Sequence, residues 1–252
     1  MPERSKRLRI LAGPNGSGKS TLVQKIRNGY YCGQFVNADE IQQMLDEKRV
    51  LNLNSNYGLD GNKDSFEKYL NEEGRSWIEK ANKEKSSINI FYSDNNIVIK
   101  DGLTPGVYDA AITADFIRFA LLEQNNTFTF ETVLSHSSKL NFLMQAKALG
   151  YKNYLYFVCT VHPSINIARV EQRVILGGHN VPTDKIVKRY VSSLELLPDL
   201  IPQTYRTYLI DNSTESSDTT LIAEIDKGQT FIPRSQHVPW WVNEYVIKKL
   251  FT

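Results

Sequence analysis

Eight consecutive residues constrain this chain more than any others: Gly13-Pro14-Asn15-Gly16-Ser17-Gly18-Lys19-Ser20, which match G-x-x-x-x-G-K-[ST]. The pattern has a mechanism. Glycines let the backbone curl so that several N–H groups turn inward without side-chain clash. A helix that begins at the lysine adds its free N-terminal N–H groups and its positive dipole end. An apolar run, Leu8 to Ala12, precedes the motif, and a helical pattern follows from Lys19 to about Arg27. Strand, glycine loop and helix in that order make the segment a phosphate cradle for a nucleoside triphosphate, ATP with Mg2+. Gly13, Asn15, Gly16, Ser17 and Gly18 line it, Lys19 reaches the β- and γ-phosphates, and the Ser20 hydroxyl holds the metal. Thr21 serves either the helix or the α-phosphate.

The rest of the chain alternates in a way that suits such a loop. Strand patterns fall at Gln34 to Asn37, Thr127 to Glu131, Tyr154 to Thr160 and Thr207 to Asp211, with helical patterns between them. This rhythm implies an α/β P-loop fold with a five-stranded, mainly parallel sheet flanked by helices. Residues 1–252 are expected to form one kinase-like domain with two embellishments. Residues 49–109 read as a polar insertion that contains a hairpin, with Ile88–Tyr92 and Ile97–Ile99 flanking Ser-Asp-Asn-Asn. Residues 214–252 read as a hairpin followed by a helix that opens at Pro239-Trp240-Trp241. A net charge of +2 gives no sign of a nucleic-acid or membrane partner. Cys32 and Cys159 are too far apart in sequence to suggest metal-ligand spacing, and no apolar stretch approaches 18 residues, so a cytoplasmic protein is expected.

Three further constellations bear chemistry. In parallel α/β sheets ligands gather outside the carboxyl ends of strands. Asp39 follows the second strand there and is either a general base toward a substrate hydroxyl or the N-cap of the next helix. Glu131 ends the third strand and either organises magnesium or grips a substrate hydroxyl, or is only a polar strand end. Thr132 and Ser135 assist it or cap a turn. Arg169, Arg173, His179 and Arg189 surround Gly177-Gly178. Arginine-bearing helices on either side of a glycine hinge make either a phosphate-closing lid or a solvated basic helix pair.

Taken together, GPNGSGKST, FVNADEI, FETVLS, RVEQRVILGGHNVPTDKIVKRY and LIDNS, in that order, resemble the zeta toxin family of P-loop kinases. The resemblance covers about residues 8–48 and 110–213. It implies ATP on the Walker A residues, Asp39 as the base and Glu131 as a substrate-binding residue; Thr132 and His179 are further candidates for substrate contact by their position. It also implies that Arg173, with Arg169 or Arg189, contacts the transferred phosphate. The family's characterised toxins phosphorylate UDP-N-acetylglucosamine and are blocked by a small antitoxin. The implied partners are therefore a small-molecule hydroxyl acceptor and an antitoxin protein. The lid reads GGHNVP where those toxins carry a second arginine. Two other classes fit the loop alone. A transporter- or repair-type ATPase should carry an LSGGQ-like segment and a strand ending in Asp-Glu; here Leu134-Ser135 is followed by His136, and Asp211 by Asn212. A nucleotide-dependent binding module would need neither.

Overall fold

A computed structural model describes residues 6–178, 180–214 and 219–252. The chain divides into two compact units, one of Met1–Cys32 with Glu131–Thr252, the other of Gly33–Phe130.

The chain enters the first unit through β1 (Arg7–Ala12), whose Leu8, Ile10, Leu11 and Ala12 are fully buried, and then α1 (Lys19–Gly29). The second unit follows with β2 (Gln34–Val36) and α2 (Ala38–Lys48). Next come β3 (Val50–Asn52), α3 (Leu53–Tyr57), α4 (Lys63–Asn71), α5 (Arg75–Lys83), β4 (Ile90–Ser93) and β5 (Asn96–Ile99). The unit closes with α6 (Val107–Glu123) and β6 (Phe128–Thr132), whose last two residues belong to the first unit. Within the second unit β2 pairs in parallel with β6, while β3, β5 and β4 form an antiparallel three-stranded sheet in that order. The β4–β5 hairpin turns on Asp94 and Asn95, both with positive φ, the geometry that matches strand twist in two-residue turns.

Between residues 49 and 109 the sequence led us to expect one hairpin in a polar stretch. The structure adds a strand and three helices there. Their apolar residues are few and dispersed: Phe66 and Tyr69 are all that α4 buries, and Ala81 all that α5 buries. Short helices of this kind derive their stability from tertiary packing rather than from intrinsic propensity. Here the packing centres on Asp115 of α6, a buried carboxylate that accepts from Tyr69 Oη and Trp77 Nε1, each at 3.1 Å, and pairs with buried Arg118. The Arg118 guanidinium lies 5.0 Å from the centre of the Phe130 ring.

Back in the first unit the elements are α7 (Ser138–Ala148), β7 (Lys152–Cys159), α8 (Pro163–Ile175), α9 (Thr183–Glu195) and α10 (Leu197–Leu200). The strands β8 (Arg206–Asp211), β9 (Thr220–Asp226) and β10 (Thr230–Pro233) come next, and α11 (Trp240–Val242), one π turn and α12 (Lys248–Leu250) end the chain. Strands β1, β7 and β8 pair in parallel, and β9 and β10 extend this sheet antiparallel on the far side of β8. All five expected strands therefore form, and the tail hairpin adds two more to the count. Trp241 is fully buried against Phe157, and its Nε1 donates to Asp211 Oδ2 at 3.2 Å. No helix among the described residues is long and apolar enough to cross a membrane.

Removing one member of a buried ion pair leaves the other uncompensated. Asp115→Ala should therefore destabilise the protein by about 3–5 kcal/mol in urea unfolding. A loss below about 1 kcal/mol would show that Arg118 finds another partner at little cost.

Candidate functional site

The loop between β1 and α1 owes its path to close neighbours. A Cβ on Gly13, at φ +146°, would sit 2.0 Å from the Val158 carbonyl oxygen of β7. One on Gly16 would sit 2.4 Å from the Asn166 carbonyl oxygen of α8. One on Gly18, at φ +91°, would sit 2.1 Å from Asn212 Nδ2, just past β8. Each motif glycine is thus a point where a different element touches the loop backbone.

Side chains complete the frame. Asn166 Nδ2 donates to the Asn15 carbonyl at 2.6 Å, and Asn212 Nδ2 donates to the Ser17 carbonyl at 2.8 Å. Lys19 is only 7% exposed, and its Nζ donates to the Pro14 carbonyl at 3.0 Å, so the ammonium lies against the loop it is expected to serve. Ser17 is buried, and its Oγ has no hydrogen-bond partner among the described residues. Behind the loop, burial pushes the Cys159 thiol up to about 12, which keeps it neutral and adds no negative charge beside an anion site.

Ser20 and Thr21, at the first turn of α1, are exposed. Ser20 Oγ lies 3.5 Å from Glu131 Oε1, within reach of a hydrogen bond. The structure therefore places Glu131 beside the first turn of α1. Thr132 Oγ1 accepts from the Leu134 N–H at 3.3 Å, which holds a turn where Leu134 has φ +59°. That is the turn-capping role weighed for this hydroxyl.

Asp39 belongs to the second unit. The cap of α2 is Asn37, whose Oδ1 accepts from the Asp39 N–H at 2.8 Å. The alternative that Asp39 is merely that cap is therefore removed: its carboxylate sits one residue inside the helix and is exposed.

The arginines separate into three environments. Arg189 of α9 donates from Nη1 to Asn15 Oδ1 at 3.1 Å, which brings it to the loop. Arg169 of α8 donates to the carbonyls of Asn212 at 2.8 Å and Thr214 at 3.0 Å, so its guanidinium ties α8 to the segment after β8. Arg173, one turn further along α8, is exposed. His179 lies outside the described residues. An open cleft of about 380 Å3 between α8 and α9 is lined by Val170, Val174, Val181, Pro182 and Ile186 among others, and no residue from Gly13 to Ser20 lines it. Asn166 and Asn212 were not singled out from sequence. The available signal was weak: one asparagine just past a strand end and another in the first turn of a helix, in a chain already rich in asparagine.

No family model matches the chain, and no curated protein matches it. Solved structures do match. A chain of the native AvrRxo1-ORF1:-ORF2 complex superposes at TM-score 0.56 with 15% identity over 92% of this chain and 62% of that one. The complex of AvrRxo1-ORF1 and -ORF2 with ATP gives 0.51 and 15%, over 91% and 61%. A structure of the PezAT chromosomal toxin–antitoxin system of Streptococcus pneumoniae gives 0.45 and 15%, over 87% and 72%. The chain has a P-loop kinase-like fold. It is the fold that the resemblance to the zeta toxin kinases implies, and this chain spans under two thirds of the length of the AvrRxo1 chains.

A side chain at a glycine with positive φ and a crowded Cβ strains the backbone and displaces its neighbour. Gly18→Ala should cost about 1–3 kcal/mol in urea unfolding. Gly29→Ala, where an added Cβ meets nothing within 4 Å, should leave stability unchanged or raise it by up to about 1 kcal/mol. Equal effects at the two positions would refute the close-approach account of the loop.

Proposed function

We propose that this chain is an ATP-dependent phosphotransferase that moves the γ-phosphate of ATP to a hydroxyl of a small molecule. The observation that carries the reading is the framed loop with its charges: buried Lys19 against the loop, Arg189 on Asn15, and Ser20 beside Glu131. A site of this kind binds a polyphosphate and neutralises charge as it develops during transfer. The presence of ATP in an AvrRxo1-ORF1:-ORF2 complex of the same fold supports ATP as the nucleotide.

Ser20 Oγ and Glu131 Oε1 offer two hard oxygen donors within 3.5 Å of each other, which fits magnesium held jointly with phosphate oxygens and water. The ion, when bound, would offset phosphate charge. The chain's own residues would do the rest. Backbone amides of the loop hold the phosphates, and Lys19 stabilises the β- and γ-phosphates. Arg189, with Arg173, stabilises charge on the group in transit. Asp39 takes the proton of the acceptor hydroxyl as its oxygen bonds to the γ-phosphorus, and the bond to the bridging oxygen breaks to release ADP. Alignment and charge neutralisation, rather than covalent help, supply most of the acceleration. Arg169, tied to two carbonyls, supports the site from behind.

The acceptor we favour is the sugar hydroxyl of a UDP-amino sugar, from the resemblance to the zeta toxin kinases, and on the same ground a small antitoxin chain is the partner we favour. The test incubates the protein with γ-labelled ATP, magnesium and a panel of UDP-sugars and nucleosides, and follows the label. Asp39→Asn should lose at least about a hundredfold in transfer while keeping ATP affinity within about threefold. Lys19→Ala should lose both. Transfer that survives Asp39→Asn assigns the base elsewhere, and ATP binding unchanged in Lys19→Ala would falsify the loop reading altogether.

A further inference from the structure

We propose that Asn166 and Asn212 are positioning residues that aim the phosphate-binding amides of the loop, an inference that rests on the phosphotransfer reading above. In a planar trans peptide the C=O and the following N–H point in opposite directions, and none of the described peptide bonds is cis. A group that holds one loop carbonyl therefore turns the next residue's N–H to the opposite side. Asn166 Nδ2 holds the Asn15 carbonyl at 2.6 Å, which sets the Gly16 N–H. Asn212 Nδ2 holds the Ser17 carbonyl at 2.8 Å, which sets the Gly18 N–H. The Ser17 N–H itself is bonded to the Pro14 carbonyl at 3.3 Å, so it closes the turn. Gly16 and Gly18 make no such backbone bond among the described residues, and theirs are the amides the two carboxamides orient.

Both carboxamides are themselves fixed. Asn166 is fully buried with its Oδ1 facing the Thr160 hydroxyl, and the Asn15 carbonyl, which can only accept, requires the Nδ2 end of the amide to meet the loop. The Thr160 carbonyl in turn accepts from Tyr190 Oη at 2.6 Å, so the start of α8 is braced by α9. Asn212 is held at its backbone on both sides. Its N–H donates to the Cys159 carbonyl at 2.8 Å, and its own carbonyl accepts from Arg169 at 2.8 Å. Substituting its side chain leaves those two backbone bonds in place. The choice of amide is also electrostatic. A carboxamide donates a hydrogen bond without net charge, whereas an aspartate there would bring no donor and would place a negative charge beside bound phosphate.

The test compares the wild type with Asn212→Ala and the isosteric Asn212→Asp. Melting shifts are recorded with ATP, ADP, AMP and inorganic pyrophosphate, together with KM for ATP and kcat. Positioning through the amides predicts that Asn212→Ala raises KM for ATP about tenfold to a hundredfold, with kcat at saturating ATP within about threefold. It also predicts an unchanged melting temperature without ligand and a lost shift with ATP, ADP and pyrophosphate. Asn212→Asp should lose at least as much affinity and carries the test if the alanine variant fails to fold. The proposal is overturned if KM for ATP stays within about twofold of wild type in either folded variant. It is also overturned if ligand-free melting falls in step with affinity, the mark of a purely structural role. Wild type stabilised by pyrophosphate but not by ATP defeats the phosphotransfer reading alone and leaves the amide proposal to be judged on pyrophosphate. Wild type stabilised by neither defeats both.

Discussion

The close approach of three backbone and side-chain groups to three glycines is the constraint on which the rest of this site depends. Val158, Asn166 and Asn212 come from β7, the start of α8 and the end of β8, and each stands where a Cβ on the loop would have to be. The loop's conformation is therefore a property of the assembled parallel strands. The motif supplies permission to curl; the neighbours supply the shape. It follows that buried Phe157 and Leu209, far from any phosphate in chemistry, bear on the loop, because they fix the strands whose ends press against it.

The electrostatics of the loop are arranged with the same economy. The side chains that donate to its carbonyls, Asn166, Asn212 and Lys19, are two carboxamides and an ammonium, none of them negative. The thiol behind it is kept neutral by burial. The Glu131 carboxylate meets the Ser20 hydroxyl, a pair of hard oxygen donors. Asp211, at the end of β8, is turned to other work, accepting from Trp241 Nε1 and the Ser213 N–H.

How much of this was legible depends on the length scale of the signal. The loop, the five strands and the helices that flank them were readable because each is fixed by local chemistry: a glycine pattern, an apolar run, a breaker. The hairpin turn at Asp94-Asn95 was readable for the same reason. Helices α4 and α5 were not, since their stability lies in contacts such as Tyr69 and Trp77 on Asp115, 38 to 46 residues away in sequence. Asn37 and Asp39 illustrate a finer limit. Both residue types cap helices, two positions apart, and only backbone geometry decides which one does. Arg169 and Arg189 were indistinguishable as basic residues on neighbouring helices; their partners, two carbonyls in one case and Asn15 in the other, belong to the fold.

The division of the chain sharpens what each part can be asked to do. Every residue assigned to the nucleotide, from Gly13 to Arg189, lies in the first unit, and Asp39, the proposed base, lies in the second. The second unit has its own buried hub at Asp115 and its own helix α6 with twelve buried residues. Changes to its surface leave untouched the Val158, Asn166 and Asn212 contacts that shape the loop, since those residues all lie in the first unit. On the proposed phosphotransfer reading, a fold built this way can keep one phosphoryl donor while Asp39 and its surroundings change, because the contacts that form the loop lie in the other unit.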